Sequence, residues 1–413
     1  MPYHLSPAAR LTAALPLVAV LLAATACEIE DPSPMPVLDH PVRVALFNVR
    51  ELSAAKLEAV DADGAGTDPQ LVAAAAIVRR MRPDVLVIQE IDYPYGEDGA
   101  AAAEPERYAR AFAERYLARG GAPGDETIDY PYAYAAPVNT GVLSGFDLNG
   151  DGVTATAADL GERAHGDDSL GFGTYPGQYG MAVLSRHPLV TAEARTFQRF
   201  PWRDLPGNHL PAGHYPEEAM AVLPLSSKSH WDLPVDTPAG RLHLWISHPT
   251  PPIFDGEEDR NGRRNYDEIA FWRLYLDGSE ALVDDAGVAG GYGAGEPFLV
   301  VGDLNADPAS PEARYEGRQA VGQLLAHPRL HDAGDLLVST GAADRERVGA
   351  ADPAQATAAF RPLMRLDHLI PGPGATPVDG GVFWPSEEAD PEGARLAEEA
   401  SDHRLVWLDL ELR

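Results

Sequence analysis

FLVVGDLNADP, residues 298–308, is the stretch whose reading decides the fold. Four bulky apolar residues and a glycine run straight into Asp303, with Asn305 and Asp307 following at every second position. A short apolar run bounded by turn residues reads as a core strand. Side chains alternate along a strand, so Asp303 and Asn305 point to the same side if the extended geometry persists to its end. A core strand that stops this way delivers a carboxylate and an amide together to one rim. Asp307, followed by Pro308, is expected to cap the turn into a helix near Pro311.

The same grammar recurs along the chain. VRVALFN (42–48) ends in Asn48, DVLVIQE (84–90) in Gln89 and Glu90, and RLHLWISH (241–248) in His248. YGMAVLS (179–185), RLDHLIP (365–371) and the closing HRLVWLDLEL are further strand patterns. Taken singly, each polar end has a plain explanation, because Asn and Asp terminate strands and a lone histidine is usually hydrogen-bonded structure. Their recurrence on separate strands points to a shared site. Asp367 sits inside an apolar run, where an unpaired carboxylate is costly and demands a partner. Neighbours in a strand face opposite ways, so Asp402 and His403 serve one site only from a turn before the last strand.

Helical patterns lie between the strands, at residues 68–84 with an Asp-Pro start, 105–120, 265–278 and 311–328. No repeat period stands out. Gly-, Pro- and Asp-rich stretches at 139–177 and 193–233 read as structured loop insertions. With 413 residues, 45% hydrophobic and 23% charged, the chain suits one large α/β domain rather than disorder. The 63 acidic against 32 basic side chains give a net charge of −31, which disfavours a protein that coats nucleic acid. A single cysteine, Cys27, excludes an intrachain disulfide and a cysteine zinc site.

Residues 11–24, LTAALPLVAVLLAA, follow Arg10 and lead into AATAC, which reads as a secretory signal over residues 1–26. The leader resembles a bacterial lipoprotein signal, which makes Cys27 the lipidated first residue of the mature chain and a point of membrane attachment. Ordinary signal cleavage nearby is the alternative. Residues 27–40, rich in proline and acid, read as a tether, and 41–413 as the folded domain.

FNVRE, VIQEID, YGMAVLSRHPL, SHP, GDLNADP, RLDHLI and SDHRLV, in this order over about residues 42 to 410, resemble the endonuclease/exonuclease/phosphatase superfamily of metal-dependent phosphoesterases. The resemblance implies an α/β fold built as a four-layer αββα sandwich, two packed β-sheets flanked by helices, with the site at one end of the sheets. It implies that Asp303 orients or deprotonates an attacking water and that Asn305 holds a phosphate oxygen or that water. His403 is then the histidine beside the scissile phosphate, Asp367 its carboxylate partner, and His248 a second phosphate-binding or proton-donating histidine. Glu90, aided by Asn48 and Asp402, is the expected ligand of Mg²⁺ or Mn²⁺, since hard cations take oxygen ligands. Tyr179 is expected at the rim. Arg50 stands where some apurinic-site nucleases carry a carboxylate, which favours one metal over two.

Two loops bear on substrate and ions. Arg260, Arg263 and Arg264 form a basic cluster that suits a second anionic group, with a self-paired surface loop as the alternative, since Asp255, Glu257, Glu258 and Asp259 lie alongside. Asp147, Asn149 and Asp151 open a D-x-N-x-D-G pattern that suits a structural Ca²⁺, with an Asx-rich turn as the alternative. The functional expectation is an exported or lipid-anchored phosphoester hydrolase acting on small mono- or diesters. An extracellular nuclease is the nearest alternative, and a noncatalytic surface binder a more distant one.

Overall fold

The computed structural model describes residues 41–96, 100–119, 126–293, 295–310, 315–343 and 352–413. The leader, Cys27 and the tether lie outside the described residues. Among the described residues, eleven strands follow in chain order: β1 (Val42–Leu52), β2 (Val85–Ile91), β3 (Tyr132–Tyr134), β4 (Gly180–Ser185), β5 (Arg195–Thr196), β6 (His230–Thr237), β7 (Gly240–Ser247), β8 (Phe298–Asp303), β9 (Asp367–Pro371), β10 (Ala375–Val382) and β11 (Val406–Leu412). They form a six-stranded sheet in the order β10-β11-β1-β2-β4-β3 and a five-stranded sheet in the order β5-β6-β7-β8-β9. Both sheets are mixed. Among the described residues the parallel strand pairs are β1–β2 in one and β7–β8 in the other.

Period-two alternation sorts the second sheet's side chains between two cores. Leu299 and Val301 of β8 and Leu244 and Ile246 of β7 join the core shared with the first sheet. Phe298, Val300 and Trp245 face the other way, against helix Arg260–Leu276 with its Tyr266, Ile269, Phe271, Trp272 and Tyr275. On the first sheet lie helices Pro69–Met81 and Pro391–Ala400, packed through Leu71, Ile77, Val78, Leu396 and Ala397. Numbering these helices α1 (Pro69–Met81), α2 (Arg260–Leu276) and α3 (Pro391–Ala400), the layers run helix, sheet, sheet, helix.

The helices differ from the sequence pattern in instructive ways. α1 starts as expected, with the Asp68 carboxylate accepting from Leu71 N. The 105–120 pattern is α-helical only over Arg107–Phe112 and then widens into a π-turn over Ala113–Leu117. α2 begins five residues before the expected start, so Arg260, Arg263 and Arg264 belong to its first turns rather than to a loop. Of the 311–328 pattern, the described residues are helical only at Gly322–Leu325, and Asp307 closes a turn by accepting from Ala309 N at 2.8 Å.

The glycine of the GDLN motif has a steric reason. A Cβ on Gly302 would stand 2.1 Å from the Ser247 carbonyl oxygen. That oxygen accepts Gln89 Nε2 at 2.9 Å, while Gln89 Oε1 accepts Asp303 N at 2.7 Å. The fully buried Gln89 amide therefore clamps β2 of one sheet to β7 and β8 of the other, and Gly302 leaves the room.

Candidate active site

The C-terminal ends of both parallel pairs meet at one end of the sandwich. β1 brings Asn48, β2 brings Glu90, β7 hands over to His248, and β8 ends in Asp303. Asp367 opens β9 directly opposite Asp303 in the antiparallel register. His403 lies in the bend before β11, on the turn that the neighbouring Asp402 and His403 require.

Asp303 is the hub. Its Oδ2 accepts from Asn48 Nδ2 at 3.0 Å and lies 3.5 Å from His248 Nε2 and 3.6 Å from His403 Nε2. Its Oδ1 accepts from the Asn305 backbone amide at 2.9 Å. His403 Nδ1 bonds Asp367 Oδ2 at 2.8 Å, so the imidazole is bracketed by two aspartates. Asp367 thereby has the partner its burial demands, and its amide donates to Thr357 Oγ1. Burial opposes charge on His403, yet Asp367 and Asp303 outweigh it and raise its pKa to about 10. Burial likewise opposes the Asp303 carboxylate, but His403 and His248 hold it well below the usual range.

The other half of the site is more open. Glu90 is half-buried, its Oε1 accepting from Asn48 Nδ2 at 3.1 Å and its Oε2 from Glu51 N at 3.1 Å. Ser401 Oγ donates to Asn48 O at 2.8 Å, which holds Asp402 beside the end of β1. There Asp402 faces Arg50 at 4.0 Å. Tyr179 donates to Glu51 Oε1 at 3.2 Å, and burial together with Glu51 and Glu90 pushes its hydroxyl pKa up. Nine described non-glycine residues have a left-handed φ, and five of them, Arg50, Glu51, Glu90, Tyr179 and Asn305, sit at this end. Each such conformation costs roughly 1–3 kcal/mol, and such outliers cluster at functional sites.

One geometric expectation is corrected here. Asn305 does not share a strand face with Asp303, because β8 ends at Asp303 and Asn305 takes φ 49°. The turn still keeps the two together, with Asn305 Nδ2 donating to Pro249 O at 3.1 Å. The basic cluster is not an open clamp. Arg264 is buried and donates to the carbonyls of Leu225, Leu170 and Pro224, Arg260 pairs with Glu258, and Arg263 donates to Glu258 O and lies over Tyr315. In the 147–159 loop, Asp147 accepts the amides of Gly150, Asp151 and Gly152, Asn149 that of Asp151, and Asp151 that of Val153. Asp159 accepts from Thr156 instead of turning inward. These contacts form an Asx-rich turn.

The donor set fits a hard divalent cation. Glu90 and Asp402 offer carboxylate oxygens and Asn48 its Oδ1, which here accepts from Arg50 N at 3.1 Å, while Glu51 and Asp303 add negative charge around them. Asp303, Asp367 and His403 also come within 4.8 Å of one another. There, however, the imidazole faces a carboxylate at each nitrogen and holds its proton, which suits a charge relay better than a ligand. Two residues at this end escaped the sequence reading: Glu268 of α2, which is fully buried and accepts from Ser227 N and Thr250 N, and Lys228. Neither stands at a strand end, so the pattern that found the others passes them by.

The model of the Endonuclease/Exonuclease/phosphatase family matches residues 45–403. The chain belongs to this family. Family members hydrolyse phosphoesters, generally with a divalent metal. Among solved structures, the chain is similar to an endonuclease/exonuclease/phosphatase from Beutenbergia cavernae, at 20% identity and TM-score 0.49, over 90% of this chain and 72% of that one. It is similar to mannosyl-6-phosphatase Bt3783 of Bacteroides thetaiotaomicron, at 13% identity and TM-score 0.41, over 89% and 99%. It is also similar to sphingomyelinase C from Streptomyces griseocarneus, at 16% identity and TM-score 0.43, over 89% and 99%. No curated protein matches significantly.

Proposed function

We propose that this family member is an exported, metal-dependent phosphoric ester hydrolase that attacks small phosphomonoesters or phosphodiesters with an activated water. The observation that carries the reading is the buried chain Asp367–His403–Asp303, with His248 on its flank and Glu90–Asn48 at its open side. Phosphoester hydrolysis needs an oriented water, neutralised phosphoryl oxygens and a protonated leaving oxygen.

Asp303 accepts a hydrogen bond from the water and takes its proton as the new phosphorus–oxygen bond forms. His403, kept charged by Asp367 and Asp303, donates to a phosphoryl oxygen whose charge grows in the transition state. Asn305 donates its amide to the same group. His248 gives a proton to the leaving oxygen as its bond to phosphorus breaks. Glu90, Asn48 and Asp402 would hold Mg²⁺ or Mn²⁺, which polarises a phosphoryl oxygen when bound. The net charge of −31 favours small substrates over duplex DNA.

The test is hydrolysis of a nitrophenyl monoester, its diester and plasmid DNA by the purified protein in Mg²⁺ or EDTA. Turnover that persists in EDTA, or in Asp303→Ala, sinks the mechanism, and preferred cleavage of plasmid selects the nuclease reading. Export rests on the leader alone, and Cys27 is the proposed lipid attachment point. Labelled lipid that stays on Cys27→Ser would defeat that anchor.

A further inference from the structure

Lys228 lies two residues before β6. The β6–β7 register pairs His230 with Ser247, and continued outward it sets Lys228 level with Pro249, the residue after His248. Asn139 N donates to Lys228 O at 3.1 Å, and Lys228 N donates to Ser226 Oγ at 3.2 Å. On one side of this segment the Ser227 amide, and on the other the Thr250 amide, are pinned to the two oxygens of Glu268, at 2.8 and 2.6 Å. The backbone around Lys228 is thus fixed to the same buried carboxylate as the loop that carries His248.

Its side chain is treated differently. Lys228 is only 5% exposed, yet among the described residues no hydrogen bond or ion pair reaches its ammonium. The carboxylates of Glu268, Glu90 and Asp303 supply the negative field around it, and burial pulls its pKa down against them. On the facing loop, His248 Nδ1 and Thr250 Oγ1 are buried without a partner. Its Nζ is not among the sealed atoms left without a partner, so the ammonium is open at its tip and presents three donors with no protein acceptor, in the field of three carboxylates. A cation placed this way is free to hold an arriving anion.

We propose that the Lys228 ammonium is a substrate-binding group that takes a non-bridging oxygen of the phosphoryl group on the side of the site nearest His248. This rests on the hydrolase reading above and assigns the cation that reading leaves out. The arriving phosphoryl anion supplies the acceptors that the protein does not, so the Lys228 charge is stabilised mainly in the complex. Lys228, His248 and His403 then bracket the phosphoryl group with donors, while Glu90 and Asp402 face it from the open side.

Calorimetric titration of inorganic phosphate, in Mg²⁺, into the wild type, Lys228→Met and Lys228→Arg reads the proposal directly, with Tm recorded for each. The wild type should bind phosphate, and Lys228→Met should bind it about tenfold or more weakly, the loss of one charge-assisted hydrogen bond. Its Tm should be unchanged or higher, and Lys228→Arg should recover most of the affinity. KM for a nitrophenyl monoester should rise with the phosphate Kd. Unaltered phosphate binding in Lys228→Met overturns the assignment, as does a wild type that binds none. Weaker binding with a lowered Tm that arginine does not restore also overturns it, because Lys228 would then serve only to neutralise Glu268. A wild type that binds phosphate through Lys228 but hydrolyses no ester defeats the hydrolase reading and leaves the assignment standing.

Discussion

The two sheets end at the site in opposite ways. The second sheet brings Asp303, Asp367 and His248 into a sealed polar cluster that His403, from the turn before β11 of the first sheet, completes, each no more than 4% exposed. The first sheet breaks open: β1 bulges after Asn48, β2 bulges at Glu90, and the residues there adopt left-handed backbone conformations and reach solvent. A sealed cluster fixes protonation states, because low dielectric strengthens every charge pair inside it. An open, oxygen-rich edge exchanges ions and ligands. The division assigns proton and charge control to the sealed cluster around the end of the second sheet and cation binding to the bulged edge of the first.

Asp303→Ala tests the sealed half most severely, since both flanking histidines and Asn48 bond or face that carboxylate. It should lower kcat by about 10³-fold or more, with KM little changed. Steady-state kinetics alongside circular dichroism would check it. A variant within tenfold of wild type would remove Asp303 from the chemistry.

Asp367→Asn should act next in size, through His403. Burial without carboxylates on both sides drives a histidine down, as His368 shows: it is equally buried, pairs with the Ala306 carbonyl, and falls to about 3. His403 is held at about 10. A folded pKa above the unfolded value of roughly 6.5 stabilises the fold fully below 6.5, and that contribution is lost as pH rises through about 10. The charged imidazole is also the active form, so the wild type should lose kcat/KM on that alkaline limb as His403 gives up its proton. In Asp367→Asn the limb should move to lower pH and kcat fall by roughly 100-fold. A pH–rate profile that keeps its alkaline limb in place would break the coupling.

On the open half, Glu90→Gln should raise the Mg²⁺ concentration needed for half-maximal rate by roughly 10- to 100-fold. Saturating metal should then recover most of kcat, which the sealed-half variants cannot do. A metal titration separates the cases. If Glu90→Gln stays inactive at saturating Mg²⁺, the first sheet does more than hold the cation.

The two halves were also unequally legible in the sequence. Asp303, Asn48, Glu90 and His248 stand where apolar runs stop and Asp367 inside one, a local signal that survives although Asn48 and Asp303 lie 255 residues apart. Strand alternation likewise sets the inward and outward faces of β7 and β8. What the sequence hid is backbone and partner choice. Alternation predicts a shared face for Asp303 and Asn305, but a left-handed Asn305 ends the strand and brings them together by a turn. Lys228 and Glu268 belong to the site through long-range tethers, which leave no periodic trace. The start of α2 was misread because Asp255–Asp259 looks like an acidic loop, while Asp259 itself stands immediately ahead of the helix.

That misreading yields the smallest expected effect. Were Arg260, Arg263 and Arg264 a loop, they would be free to grip a second anionic group, and losing one would raise KM. In the first turns of α2 their guanidinium groups serve the fold, Arg264 most of all, with three carbonyls to satisfy from a buried position. Arg263 is the fair test, because it is half-buried and its loss leaves no deeply buried orphan: it donates to Glu258 O at 2.9 Å and lies 5.3 Å over the Tyr315 ring. Arg263→Ala should therefore cost about 1 kcal/mol of stability, for the bond to Glu258 O, a long 3.5 Å bond to His209 O and one half-buried cation–π contact, and leave KM within about twofold. Denaturant unfolding and substrate kinetics on one preparation read both quantities. A tenfold rise in KM with stability intact would return the basic cluster to the substrate and make the start of α2 a third wall of the site.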